Sequence, residues 1–130
     1  MKVIVELSQE YVAEYVENLL DCAEYKMNVW VSDVYCPTAK DNRWPEMAEE
    51  LSKGNKICFT TAFDVNGKRI HFLTKESLSH GIASALILYP GIATLGTDSC
   101  YLSVDGADAI LQCALFGKAE LGWLHDIIED

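Results

Sequence analysis

The dipeptide Asn66-Gly67 constrains this chain more than any other feature. It lies between two runs of β character, residues 56–63 and 68–72, and ends the tetrapeptide Asp64-Val65-Asn66-Gly67. The two central positions of a tight hairpin turn need positive φ, which Asn and Gly adopt at least cost. An antiparallel hairpin is therefore expected in the middle of the chain.

On either side of the hairpin the apolar residues take helical spacing. Tyr11, Val12, Tyr15, Val16, Leu19, Leu20 and Ala23 recur at i, i+1, i+4, i+5, which predicts a helix from an N-cap at Ser8 to about Ala23. Residues 28–35, rich in Val, Trp and Tyr, predict a strand, and residues 3–7 a shorter one. Pro45 suits the first turn of a second helix ending near Gly54, with Met47 and Leu51 facing inward. Thr74 caps a third, whose inner face is Leu78, Ile82, Ala85, Leu86 and Tyr89 before Pro90 stops it. Residues 92–103 read as a loop or a short strand through Cys100-Tyr101-Leu102. A last helix spans residues 105–116, with acids at its front, Ala107, Ile110, Leu111, Ala114 and Leu115 inward, and Gly117 as its left-handed stop. The sum is an α+β fold: three to five helices in a single layer on a small, largely antiparallel sheet containing the central hairpin.

With 130 residues, the span 1–130 is expected to form a single globular domain. Twenty acidic against ten basic residues give a net charge of −10, which argues against direct nucleic-acid binding. Five cysteines, none in a Cys-x-x-Cys pair, fit small buried hydrophobes in a reducing cytoplasm. The opening residues soon turn acidic, so no leader is expected, and the apolar stretch 81–95 is too short and too broken at Pro90-Gly91 to cross a bilayer.

Several blocks carry a resemblance. Leu19-Leu20-Asp21-Cys22-Ala23-Glu24 leads to Asn28-Val29-Trp30; Leu51-Ser52-Lys53-Gly54-Asn55 precedes the hairpin; Phe72-Leu73-Thr74-Lys75-Glu76 opens a helix containing Gly81; and Asp108-Ala109-Ile110-Leu111-Gln112-Cys113-Ala114-Leu115-Phe116-Gly117 closes the set. In this order they resemble a family of small, largely uncharacterised proteins of bacteriophages and integrated prophages. Two glycine turns of that family are altered here: Tyr25-Lys26-Met27 replaces the first, and only Gly54 remains of the second. The resemblance implies an accessory protein working in the cytoplasm of a bacterial host. It implies no catalytic residues.

Glu10, Glu14, Glu17, Asp21 and Glu24 repeat at i, i+4, i+7, i+11 and i+14, opposite the apolar stripe of the first helix. They would form a line of carboxylates roughly 21 Å long, with a charge about every 5–6 Å. Such a line can imitate a nucleic-acid strand toward a basic protein, or can be an ordinary solvated face. Trp30, Tyr35, Arg43 and Trp44, with Arg69 on the hairpin, could instead bracket a nucleotide base. The plainer reading puts Trp30 and Tyr35 in the core and uses Trp44 to pin the second helix. His71, His80 and His125 lack metal-ligand spacing, and Asp105-x-x-Asp108 reads as helix-front charge.

The expectation is a non-enzymatic protein that acts by binding, with no metal and no cofactor. Its expected partner is a host protein with a basic surface, in counter-defence against an immune or nucleic-acid-processing protein. The alternatives are a sponge for a nucleotide-derived immune signal and a phage morphogenesis or housekeeping factor. Leu121, Trp123, Leu124, Ile127 and Ile128 suggest a tail that docks on its own domain or on a second copy as a homodimer.

Overall fold

In the computed structural model, which describes residues 9–89 and 104–119, the first apolar stripe becomes a helix of 22 residues, α1 (Gln9–Trp30). It runs past Ala23, where the sequence suggests an end, and takes in Asn28 to Trp30, which read as strand. Two causes are visible. Tyr25-Lys26-Met27 contains no helix breaker, and the buried positions Val16, Leu20, Ala23, Met27 and Trp30 keep the 4-3-4-3 rhythm of one helical face. Packing of that face overrides the β preference of Val29 and Trp30.

Strand β1 (Val31–Tyr35) follows α1 directly. Helix α2 (Trp44–Ser52) starts with Pro45 in its first turn and buries Met47, Ala48 and Leu51 against α1. Gly54, at φ +99°, turns the chain away from it. Strands β2 (Ile57–Val65) and β3 (Lys68–Leu73) form the expected hairpin, with Asn66 and Gly67 at φ 54° and 82°. The strand order is β1-β2-β3, antiparallel throughout, with bulges in both pairings. Ile57, Phe59, His71 and Leu73 are buried on the side that the helices cover. Tyr35 and Phe72 flank Cys58 across the opposite side and remain 40% and 45% exposed. The reading of Tyr35 as core therefore fails: β1 turns it to the face away from the described helices, where it stays 40% exposed.

Helix α3 (Lys75–Leu88) opens with a reciprocal cap. The Thr74 hydroxyl accepts from the Ser77 amide at 3.1 Å, and the Thr74 amide donates to the Ser77 hydroxyl at 2.9 Å. Helix α4 (Val104–Phe116) buries every residue from Gly106 to Cys113, because α1, α3 and β3 surround it. The architecture is α+β, with four helices among the described residues and a three-stranded sheet. The expected strand at 3–7, the segment 92–103, Pro90 and the tail beyond Glu120 lie outside the described residues.

Helices α3 and α4 cross at Gly81. A Cβ built there would stand 2.6 Å from both the backbone nitrogen and the Cβ of Ala114. Gly81→Ala gains about 1 kcal/mol of helix propensity but forces backbone apart. The expected net effect is destabilisation by about 1–3 kcal/mol, read as a lower denaturant midpoint at unchanged far-UV dichroism.

Candidate functional site

The carboxylates of α1 emerge where their periodicity places them. Glu14, Glu17, Asp21 and Glu24 are exposed, opposite the face that buries Tyr15, Leu19 and Ala23. Glu10 lies in α1, with its side chain outside the described residues. Among the described residues none of the four has an ion-pair partner. Lys26, the one basic residue of α1, is buried and lies 3.6 Å from Asp105 at the start of α4.

The acids of α2 differ. Arg43 holds Glu46 at 2.8 Å and approaches Asp41 at 4.0 Å, while Lys53 reaches Glu50 at 3.3 Å and Glu49 at 3.6 Å. The Arg43 hydrogen bond holds the Glu46 carboxyl below its ordinary range, and hydrogen bonds from Thr38 and then Lys53 do the same for Glu50. The shallow cleft between loop 36–43 and α2, about 320 Å³, contains Asp41, Glu46, Glu49 and Glu50, each of which thus has Arg43 or Lys53 within 4.0 Å.

A second cleft, about 240 Å³, begins where the stripe ends. Glu24 and Asn28 of α1, Asp33 of β1, Asn42 of the following loop and Trp44 of α2 line it, over Val31 and Val34. Among the described residues no lysine or arginine lines it. Phosphate groups would meet two carboxylates there with no counter-charge. The volume also falls below the roughly 300–1,000 Å³ of pockets that enclose whole small molecules.

The aromatic set does not assemble as a base-binding pocket. Trp30 is fully buried, donates its indole N–H to Asp108 at 2.9 Å, and meets the Phe116 ring edge-on at 5.5 Å. Its place in α1 rather than in a strand turns it inward, away from any ligand. Tyr35 is on the uncovered sheet face, Arg43 is engaged by Glu46, and Arg69 lies 3.4 Å from Asp64 on the hairpin. Of the five residues only Trp44, half-buried, lines the acidic cleft.

Sequence reasoning missed a buried polar cluster. Asp108 is not helix-front charge: it is 1% exposed and accepts hydrogen bonds from Trp30 and, at 3.1 Å, from Gln112. The available signal was an acid surrounded by Ala107, Ala109, Ile110 and Leu111, with an amide donor one turn on. Burial pushes the Asp108 carboxyl up to about 6, against the opposing hydrogen bonds and Lys26. His71, also buried, stands 3.2 Å from the Lys68 carbonyl and edge-on to Phe116 at 4.7 Å; burial lowers its pKa. Closed to solvent, these groups are placed to organise the core rather than to meet a substrate. Among the described residues no three His, Cys, Asp or Glu side chains are grouped as metal ligands, and no helix is long and apolar enough to cross a membrane.

Comparison of the chain with known protein families, curated proteins and solved structures finds no match.

The raised Asp108 pKa has a defined sign. The folded state binds this proton more tightly than the unfolded chain, so the contribution is full below the ordinary carboxyl range and disappears as pH rises through about 6. Asp108→Asn removes that dependence, while His71, whose lowered pKa acts in the opposite direction, stays common to both proteins. Relative to Asp108→Asn, the native chain should gain on the order of 1 kcal/mol of unfolding free energy between neutral pH and about pH 5. Paired denaturant titrations measure the difference.

Proposed function

We propose that this chain is a non-enzymatic binding protein that presents the outer face of α1 to a basic surface on another protein. The observation that carries this reading is the set of four exposed carboxylates, Glu14, Glu17, Asp21 and Glu24, without ion-pair partners among the described residues. On α2 and at the hairpin the surface supplies counter-charge: Arg43 and Lys53 accompany the acids of α2, and Arg69 accompanies Asp64. For the exposed acids of α1 it supplies none among the described residues, although like charges a turn apart cost a few tenths of a kcal/mol per pair. A partner with a basic groove offsets that repulsion and releases counterions.

The blocks that resemble phage and prophage proteins support a setting inside a bacterial host. There the partner would be an immune or nucleic-acid-processing protein, whose basic groove normally tracks phosphates, and the outcome would be counter-defence. The nucleotide-sponge reading has less support, because Trp30 is buried and both arginines are engaged by carboxylates.

The triple charge reversal Glu14→Lys, Glu17→Lys, Asp21→Lys is expected to abolish capture of the partner from host lysate and protection of an infecting phage. Neutralising the same three positions with Gln, Gln and Asn should leave thermal stability equal or slightly higher while weakening capture, which separates binding from folding. Raising salt to about 1 M, where the screening length falls to about 3 Å, should release the partner. Capture and protection that survive the reversal would overturn the proposal.

A further inference from the structure

The cleft at the end of the stripe joins two features that the sequence had set against each other. Glu24 belongs to the acidic line and Trp44 to the aromatic set, yet both line one cavity, together with Asp33. Neither carboxylate has an ion-pair partner among the described residues. Trp44 is half-buried: it packs against the core cluster and also lines the cleft. Val31 and Val34 add apolar surface.

We propose that this cleft seats an arginine side chain of the partner protein, its guanidinium between the carboxylates of Glu24 and Asp33 and against the Trp44 indole. This rests on the reading of α1 as a face for a basic protein, and it names what that protein inserts. Three properties select the occupant. Two carboxylates and, among the described residues, no lining cation select a positive group over phosphate. An aromatic wall favours guanidinium, which is planar, weakly hydrated and stacks on indole, over the compact and strongly hydrated ammonium of lysine. The aliphatic surface of Val31 and Val34 suits the methylene stem of a long side chain, and about 240 Å³ accommodates a side chain rather than a whole cofactor. The neighbouring acidic cleft lacks these properties: Arg43 and Lys53 already occupy its carboxylates, and no aromatic residue lines it.

Titration of the full ¹⁵N-labelled chain with a hexa-arginine peptide tests this. Saturable shifts of the Trp44 indole N–H and of the Asn28 and Asn42 side-chain amides are expected. Glu24→Gln with Asp33→Asn should weaken the affinity about tenfold, whereas Glu46→Gln with Glu49→Gln should change it less than twofold. A hexa-lysine peptide should bind the α1 face with much smaller shifts at Trp44. Unmoved resonances of the folded core in each variant establish that it is intact. If the peptide moves only the amides around Glu14, Glu17 and Asp21, the cleft proposal is wrong and the acidic-face reading stands. If hexa-lysine moves Trp44 as strongly and binds as tightly, the choice of guanidinium is wrong. If neither peptide shifts either region, both readings fall.

Discussion

One hydrogen bond holds the arrangement of this protein together. The Trp30 indole at the end of α1 meets the Asp108 carboxyl in α4 across 78 positions of sequence. A carboxyl group placed among Ala107, Ala109, Ile110 and Leu111 is strongly unfavourable unless its oxygens are satisfied. Trp30 and Gln112 supply donors from two different helices, and Lys26 adds a nearby positive charge. The polar pairing admits few alternatives, so it fixes the rotation of α4 about its axis. That rotation brings Phe116 edge-on to both Trp30 and His71 and sets Ala114 against Gly81. The Asn66 side-chain amide then reaches the Phe116 carbonyl at 3.4 Å, which ties the end of α4 to the hairpin turn.

The same pairing decides which surfaces are left for function. Helix α4 has almost no exterior, and α3 gives one side to the close crossing at Gly81. Helix α1 spends its inner face on the core from Val12 to Trp30, so its outer face is free to carry charge without loss of packing. The long apolar anchor is also what lets α1 tolerate repulsion along the stripe. Seven large apolar side chains buried on one helix besides Ala23, each contributing about 1.5–3 kcal/mol, outweigh like-charge pairs that cost tenths.

The parts of this structure legible in the sequence are those whose cause is local. The Asn66-Gly67 turn, the Thr74 cap, Pro45 at the start of α2 and the glycine after α4 each need only a few adjacent residues to act. The end of α1 was not legible, because what carries the helix through Asn28 and Val29 is the distant partner of Trp30. Asp108 was misread for the same reason: an acid near a helix start looks like dipole chemistry until the helices around it are known. Tyr35 needed the location of the uncovered sheet face. The stripe was legible from its period alone. That its carboxylates lack counter-charge among the described residues was not, since Arg43 and Lys53 could have served α1 as easily as α2. The cleft draws Glu24, Asp33 and Trp44 from three elements, and no spacing rule joins positions so placed.

Stripe and cleft would act on different stages of one encounter. Exposed charges in a line act at a distance of the order of the Debye length, about 8 Å at physiological salt. In the proposed role they would raise the rate at which a basic surface arrives and orient it along α1, but would discriminate poorly among basic surfaces. A guanidinium that enters the cleft exchanges water for two carboxylates and an aromatic face at contact range, which slows departure and demands one residue in one place. The two features lie end to end, sharing Glu24, so steering along the helix would deliver the basic side chain toward the position where it would be held. An acidic line without the cleft would attract many partners weakly. The cleft without the line would choose well but meet its partner seldom, and their contiguity at the end of α1 would give one small surface both properties.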